Sequence, residues 1–324
     1  MPHLIRDRKI NFLGWWMLFI MFALVVCLCS CSKPSNPATG NPATAEAQTY
    51  ASPDDAGKAL LAAAKSGNQD AILAIFGPES KEIIDSGDPT QNKETVAAFV
   101  AAYETMHRWR KMDGKSEILV LGVDNFSFPI PLTKNGDGRW FFDTAAGKDE
   151  ILSRRIGRNE LAAIDISAAI ADAQAQYFSQ RHDGVKQYAQ KFISDEGKHN
   201  GLYWPSPEGQ PKSPLGPLVA FATGEGYNVK PDSHQPFHGY YFHILVKQGA
   251  DAKGGAKSYL VNGKMTGGFA VVAYPAKYGD SGIMTFIINP SGVMYQKDLG
   301  KTTDEVAGGI TEFNPDKSWK PVED

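Results

Sequence analysis

Three histidines lie close together in the C-terminal part of the chain: His234, His238 and His243. On a helix, His234 and His238 would share a face, and imidazole nitrogens are common zinc ligands. Pro236 and Gly239 disfavour a helix, however, and His243 falls inside a predicted strand. No acidic residue recurs beside them at ligand spacing. We therefore expect a loop and a strand that carry incidental imidazoles, and we predict neither a metal site nor another cofactor.

The tetrapeptide Gly279-Asp280-Ser281-Gly282 is the one that surrounds the nucleophile in chymotrypsin-like proteases. A serine nucleophile needs a base within hydrogen-bond reach and an oxyanion hole. In those enzymes the histidine and aspartate come earlier, on a pair of six-stranded barrels that this strand pattern lacks. Gly, Asp and Ser are also common turn formers. We therefore predict a turn between two strands and assign no catalytic residue, with Ser281 as a nucleophile kept as the alternative.

Two aspartates, Asp165 and Asp172, are seven residues apart on one predicted helix, and Glu160 lies about one turn away. Paired carboxylates can do acid–base chemistry when burial separates their pKa values. Three arginines open the same helix: Arg154, Arg155 and Arg158. Charged residues that flank a buried stripe are usually paired. We expect the acids to meet these arginines or water.

Tyr203-Trp204-Pro205 lies in a long polar passage, residues 194–238, that is rich in proline and glycine. Aromatic side chains in such a loop can stack on sugars or anchor a partner chain. Tyr203 and Trp204 are therefore the candidate contacts for a glycan or an envelope protein. The alternative is that they pack against the core, because a loop of this length needs tying down.

The helix that carries the arginines and acids, residues 153–178, has a broad apolar face. One seam contains Gly157, Leu161, Ile164, Ala168, Ala171, Ala175 and Phe178. It is widened by Ile166, Ile170, Ala173 and Tyr177. A helix that is apolar over so much of its surface must be covered by a sheet or by other helices. We predict that this helix is a packing spine, that is, a helix whose apolar face lies against the strands that follow it.

The surrounding patterns predict an α+β fold with two domains, residues 52–152 and 153–324. The first has helices, beginning at Ser52 and including one over 93–110, followed by a small antiparallel sheet. In the second, the long helix packs on an antiparallel sheet. Its strand patterns cover residues 239–248, 257–262, 267–275, 282–290 and 292–299.

The N-terminus has the layout of a secretory signal, residues 1–30. Three basic residues precede the apolar run FLGWWMLFIMFALVVCL, and Leu28-Cys29-Ser30-Cys31 follows it. The last four resemble a bacterial lipobox, which implies that Cys31 is lipidated. An uncleaved transmembrane anchor is the alternative, since about 17 apolar residues approach the length of a span. Residues 31–51, rich in Pro, Ala, Asn and Thr, are predicted to form a flexible tether.

Composition limits the possible partners. The net charge of −3 is spread along the chain, which argues against nucleic-acid binding because that needs a basic face. The three cysteines all lie in one short N-terminal stretch, at Cys27, Cys29 and Cys31. The body can therefore contain no disulfide and no thiolate metal site.

Long strings of the sequence resemble one bacterial family. They include RRIGRNELAAI (154–164), GLYWP (201–205), HGYYFHIL (238–245) and GIMTFIINPSGVMY (282–295). From about residue 52 to the C-terminus the chain resembles domain-of-unknown-function family 2950. That resemblance implies an exported protein with a two-part body, and it supplies neither an activity nor catalytic residues.

The order of long helix, loop and sheet is also similar to the globular domains of type IV pilins and type II secretion pseudopilins. Those domains lay a helical spine across an antiparallel sheet. Pilins begin with a processed apolar helix, whereas the comparable helix here is internal and its first turn is basic. The similarity implies a pilin-like sheet but not assembly into a filament.

Together these patterns predict an exported lipoprotein held at the periplasmic face of a bacterial membrane. Ser32 favours the outer membrane, by resemblance to the enterobacterial sorting rule. We expect a non-enzymatic binding or accessory module. Two alternatives stay open at this point: an envelope hydrolase that uses Ser281 or the histidines, and a component of a secretion or pilus-like assembly.

Overall fold

A computed structural model describes residues 47–228 and 235–323 and shows an α+β fold. The predicted signal, Cys31 and most of the predicted tether lie outside these ranges. The described residues form seven α-helices, and none of them is long and apolar enough to cross a membrane. They are α1 (Pro53–Ser66), α2 (Gln69–Phe76), α3 (Lys81–Ile84), α4 (Pro89–Thr105), α5 (Thr144–Ser179), α6 (Gly216–Glu225) and α7 (Thr303–Gly308).

The N-terminal half contains a five-stranded antiparallel sheet with α1, α2 and α4 packed near it. Its strands are β1 (His107–Lys111), β2 (Ser116–Leu121), β3 (Phe126–Ser127), β4 (Leu132–Lys134) and β5 (Trp140–Phe142). Their order is β1-β2-β4-β5, and β3 pairs with β2. As predicted, Ser52 caps α1, because its hydroxyl accepts a hydrogen bond from the Asp55 backbone N–H.

The predicted helix over 93–110 is wrong at its C-terminal end. Helix α4 stops at Thr105, and β1 follows after one residue. Trp109 in β1 is half-buried against the core and pairs with Leu119, whereas Arg108 and Arg110 are exposed. The segment therefore alternates with the period of a strand, and pairing with β2 overrides its compatibility with a helix.

The C-terminal half contains a second five-stranded antiparallel sheet and three two-stranded ladders. The ladders pair β6 (Arg181–His182) with β7 (Val185–Lys186), β9 (Lys247–Gln248) with β10 (Lys257–Ser258), and β11 (Leu260–Val261) with β12 (Lys264–Met265). The sheet comprises β8 (Tyr240–Leu245), β13 (Ala270–Pro275), β14 (Met284–Ile288), β15 (Met294–Asp298) and β16 (Lys320–Pro321). The order of its strands is β16-β15-β14-β13-β8.

Helix α5 is 36 residues long and packs on β13 and β14, so the predicted spine is confirmed. Its buried face is not the predicted seam, however. Leu161 is 47% exposed and Ala175 is also exposed. The residues expected only to widen the seam, including Ile166 and Ile170, are the ones that enter the core. Buried polar side chains also lie on that face. Because a sequence pattern assigns polar residues to the surface, this face was not recognised as the buried one.

Helix α5 begins at Thr144 rather than at residue 153, and Asp143 caps its first turn. The predicted domain boundary between residues 152 and 153 thus falls inside a continuous helix. The described residues, 47–228 and 235–323, all belong to one compact unit. The arginines expected in the first turn of the helix lie in its interior, where the terminal backbone N–H groups of a helix no longer repel a positive charge.

Candidate functional site

Five of the residues singled out in the sequence converge on one place: Arg155, Glu160, His238, Asp280 and Ser281. Side chains from α4 and α5 meet there with the turn before β8 and the turn before β14. We call this cluster the polar junction; it comprises Asp88, Gln91, Arg155, Asn159, Glu160, Tyr227, His238, Asp280 and Ser281. It joins the N-terminal half to the sheet of the C-terminal half.

Arg155 is the central cation of the polar junction and is only 5% exposed. Its guanidinium pairs with the Asp280 carboxylate and donates a hydrogen bond to the Ile83 carbonyl oxygen. The Lys277 Nζ lies 3.0 Å from Asp280 Oδ2, on the exposed side of the pair. Arg155 therefore ties the segment before α4 to the turn before β14 with charge-assisted hydrogen bonds.

Asn159 lies one turn further along α5 and is fully buried. Its Nδ2 donates to the Ser281 carbonyl oxygen at 2.8 Å, and its Oδ1 accepts from Gln91 Nε2 at 2.7 Å. Gly239, with φ at +73°, passes so close that a Cβ there would lie 2.5 Å from Asn159 Nδ2. Asn159 thus connects α4, α5 and the C-terminal sheet, and the close approach requires glycine.

Ser281 lies in the predicted turn and is 1% exposed. Its hydroxyl accepts from the Lys277 backbone N–H at 2.9 Å and donates to the Lys277 carbonyl oxygen at 3.2 Å. Nearby, Glu160 Oε1 accepts from the backbone N–H groups of Ile283 and Met284, both at 2.9 Å. These bonds close the turn, and they leave the hydroxyl bonded to backbone rather than to a base.

The described histidines of the predicted cluster separate. His238 is 7% exposed, and its Nε2 lies 3.0 Å from Glu225 Oε2 at the end of α6. His243 is exposed on β8, where its Nε2 lies 3.0 Å from the Tyr274 hydroxyl. His234 lies outside the described residues. Within the described ranges no three His, Cys, Asp or Glu side chains are placed to hold a metal ion.

A hydrogen bond between Tyr227 and Asp88 completes the polar junction. The Tyr227 hydroxyl donates to Asp88 Oδ2 at 2.7 Å, while Asp88 Oδ1 caps α4. Burial, and then this hydrogen bond, raise the pKa of Tyr227 well above its usual value. Glu94 follows on α4, and its pKa is raised by burial and then by the nearby Glu225 carboxylate. These acids are held by the fold in a partly desolvated environment.

The remaining predicted charges of α5 lie at its surface. Arg154 pairs with Glu150 and stands 4.7 Å from the ring centre of Phe126. Asp172 is exposed, and Asp165 is half-buried. The two aspartates are therefore not brought into one cleft with Glu160, whose carboxylate is occupied by the turn before β14.

The two candidate aromatic contacts lie against the core of the C-terminal half. Trp204 is 7% exposed, belongs to that core and donates to the Pro211 carbonyl oxygen at 3.4 Å. Its ring stacks on His199 with centroids 4.3 Å apart. Tyr203 is half-buried against the same core. The arrangement is that of the alternative interpretation, in which both residues pack beneath the long loop.

Sequence reasoning missed four members of the polar junction: Asp88, Gln91, Asn159 and Tyr227. Asp88 had a usable signal, because an acid directly before Pro89 is typical of a helix start. Gln91, Asn159 and Tyr227 had none, since the sequence shows neither that a polar side chain is buried nor which distant residue it contacts. The junction as a whole joins the two halves of the fold by buried polar contacts.

Comparison with known proteins identifies a family, and the description of that family names no activity. Residues 47–322 match the family described as "Protein of unknown function (DUF2950)". No curated protein and no solved structure matches the chain. The similarity to pilin domains therefore rests on the order of elements alone. Because the match covers most of the chain, this protein belongs to the DUF2950 family.

Proposed function

We propose that this protein is exported, lipidated at Cys31 and held at a membrane of the cell envelope. The observation that carries the proposal is the N-terminal sequence, in which a basic stretch, an apolar run and Leu28-Cys29-Ser30-Cys31 follow in order. The sequence after Cys31 is polar and proline-rich. Such a segment would let the body stand away from the bilayer.

We further propose that the body acts as a non-enzymatic binding or accessory module. The support is that the side chains most suited to catalysis have structural partners. The Ser281 hydroxyl bonds the backbone of its own turn, and Asp280 neutralises Arg155. His238 pairs with Glu225 rather than with a nucleophile.

Lipidation gives the first test. When cells that express the full chain are labelled with palmitate, we expect label on the wild-type protein and none on Cys31→Ala, because the lipid is attached to that thiol. The matched control is Cys29→Ala, which removes a neighbouring thiol and should retain the label. Equal labelling of Cys31→Ala and the wild type would refute the lipid anchor.

Ser281→Ala separates a binding module from a hydrolase. We expect the variant to lose about 1 kcal/mol of unfolding free energy, because the hydroxyl closes a turn, and to complement a deletion strain of the native host. Urea denaturation and complementation are the two measurements. A variant as stable as the wild type that fails to complement would instead support a nucleophilic role for Ser281.

A further inference from the structure

A polar cleft of about 330 Å³ lies away from the polar junction, in the C-terminal half. It is bounded by the β9–β10 hairpin, by the segment before β13 and by the turn between β14 and β15. We call it the lysine cleft; its main lining residues are Lys253, Lys257, Tyr188, Gln248, Gly268 and Asn289. Its volume is at the lower end of the range for small-ligand sites.

The charge of the lysine cleft is positive. Lys253 and Lys257 are both exposed, and none of the described residues that line the cleft is acidic. Neither ammonium group has an ion-pair partner in the part of the chain that the structure describes. In a protein whose net charge is −3, two unpaired cations at one cleft favour an anionic ligand.

Gln248 holds the backbone that carries both lysines. It is 7% exposed, and its Nε2 donates to the carbonyl oxygens of Lys253, at 3.1 Å, and Gly255, at 2.7 Å. Its Oε1 accepts from the Tyr259 hydroxyl at 3.1 Å. Lys257 is the cross-strand partner of Gln248 in the ladder. Hydrogen bonds from the buried Gln248 amide therefore order the backbone that carries the two lysines before a ligand binds. This lowers the entropic cost of binding.

The floor and rim of the cleft suit a hydroxylated ligand. Gly268 has φ at +139°, and a Cβ there would lie 3.0 Å from the Tyr259 ring, so no side chain covers the floor at this point. Tyr188 lies beside it with a half-buried ring that also stacks on Phe178. The rim carries the amide of Asn289 and the hydroxyls of Thr266 and Ser291. Neutral donors and acceptors beside an aromatic ring are the groups that recognise sugars.

We propose that the lysine cleft binds an acidic saccharide, with a carboxylate of the sugar between Lys253 and Lys257 and its hydroxyls at the polar rim. The proposal deepens the binding role given above and rests on it, because it names the class of ligand. It does not depend on lipidation, so failure of the palmitate test and failure of saccharide binding are separate results.

The test uses the full chain in detergent and isothermal titration calorimetry. The probes are trigalacturonate, which carries three carboxylates, and maltotriose, a neutral trisaccharide, at equal ionic strength. We expect heat of binding with trigalacturonate and none with maltotriose. The double variant Lys253→Gln/Lys257→Gln should weaken binding at least about tenfold, since it removes two charge-assisted contacts. The matched control Lys111→Gln/Lys115→Gln, at the β1–β2 hairpin of the N-terminal half, should stay within about twofold.

A second variant tests the positioning role. Gln248→Leu keeps both charges but removes the bonds that order the Lys253 loop, so trigalacturonate should again bind more weakly. Sodium chloride should still weaken this binding more than it does in the lysine double variant, because the charges that salt screens remain. Three outcomes would overturn the proposal: no binding of trigalacturonate, unchanged binding in the lysine double variant, or binding of inorganic phosphate or tetraglutamate as tight as that of trigalacturonate.

Discussion

Arg155→Met is expected to lower the free energy of unfolding by about 3–5 kcal/mol, because it leaves the buried Asp280 carboxylate without its main partner. The loss should be visible as a lower urea midpoint of the full chain in detergent. Lys277 also contacts Asp280, but it is exposed and its attraction is screened by solvent. It therefore offsets only a small part of the cost.

Two further variants make this prediction specific to the ion pair. Arg154→Met removes the neighbouring guanidinium, which pairs at the surface with Glu150 and donates to the Ser127 carbonyl oxygen, and should cost only about 1–2 kcal/mol. Adding Asp280→Asn to Arg155→Met should recover part of the loss, because the uncompensated charge disappears. Equal destabilisation by Arg155→Met and Arg154→Met would show that burial of the pair has no energetic consequence.

Asn159→Leu is the second large effect that we expect, at about 2–4 kcal/mol of unfolding free energy. Leucine has a similar volume, but it leaves two buried groups without partners: the Ser281 carbonyl oxygen and the Gln91 Nε2 group. The measurement is again urea denaturation, with the slope compared to confirm that the folded state remains equally compact.

Ser167→Ala is the matched control for Asn159→Leu. Ser167 is buried on the same face of α5, but its hydroxyl bonds only the Ala163 carbonyl oxygen of its own helix, at 2.7 Å. Its loss should change stability by less than about 1 kcal/mol. If the two variants were equally destabilised, the contacts of Asn159 across the polar junction would contribute no more than a bond within one helix.

Local signals predicted the parts of the fold that depend on neighbouring residues. Ser52 and Pro53 placed the start of α1 correctly, because capping is decided within one turn of the chain. The spacing of apolar residues placed the spine and the strands that it covers. The α+β class followed from these elements, and the structure confirms it.

Long-range contacts decided what the sequence could not show. Asn159 and Gln174 are polar and fully buried on α5, so their polarity pointed the predicted seam toward Leu161, which is exposed. Their partners come from elsewhere in the chain: Asn159 meets Gln91 and Ser281, and Gln174 Nε2 donates to Ala189. Periodicity assigns polar residues to solvent and cannot recognise such a satisfied pair.

The candidate site shows the same division. Asp280, Ser281, His238 and Arg155 were each noticed for their chemistry, yet only the fold reveals that they meet at one junction with structural partners. Gln248 was not noticed at all, because a lone glutamine on a short strand carries no pattern. Its role depends on carbonyl groups of a loop that the sequence does not position.

The continuity of α5 has a consequence for how this family can evolve. The helix supplies Ile151 to the core of the N-terminal half, and Ala163 and Ile170 to the core of the C-terminal half. At about 1.5 Å per residue, its 36 residues extend for about 54 Å. Recombination near the middle of α5 would join two half-helices that have evolved to pack against different neighbours. In each recombinant, part of the helix surface would not fit the residues that it contacts. The two halves are therefore expected to be inherited together rather than exchanged between relatives.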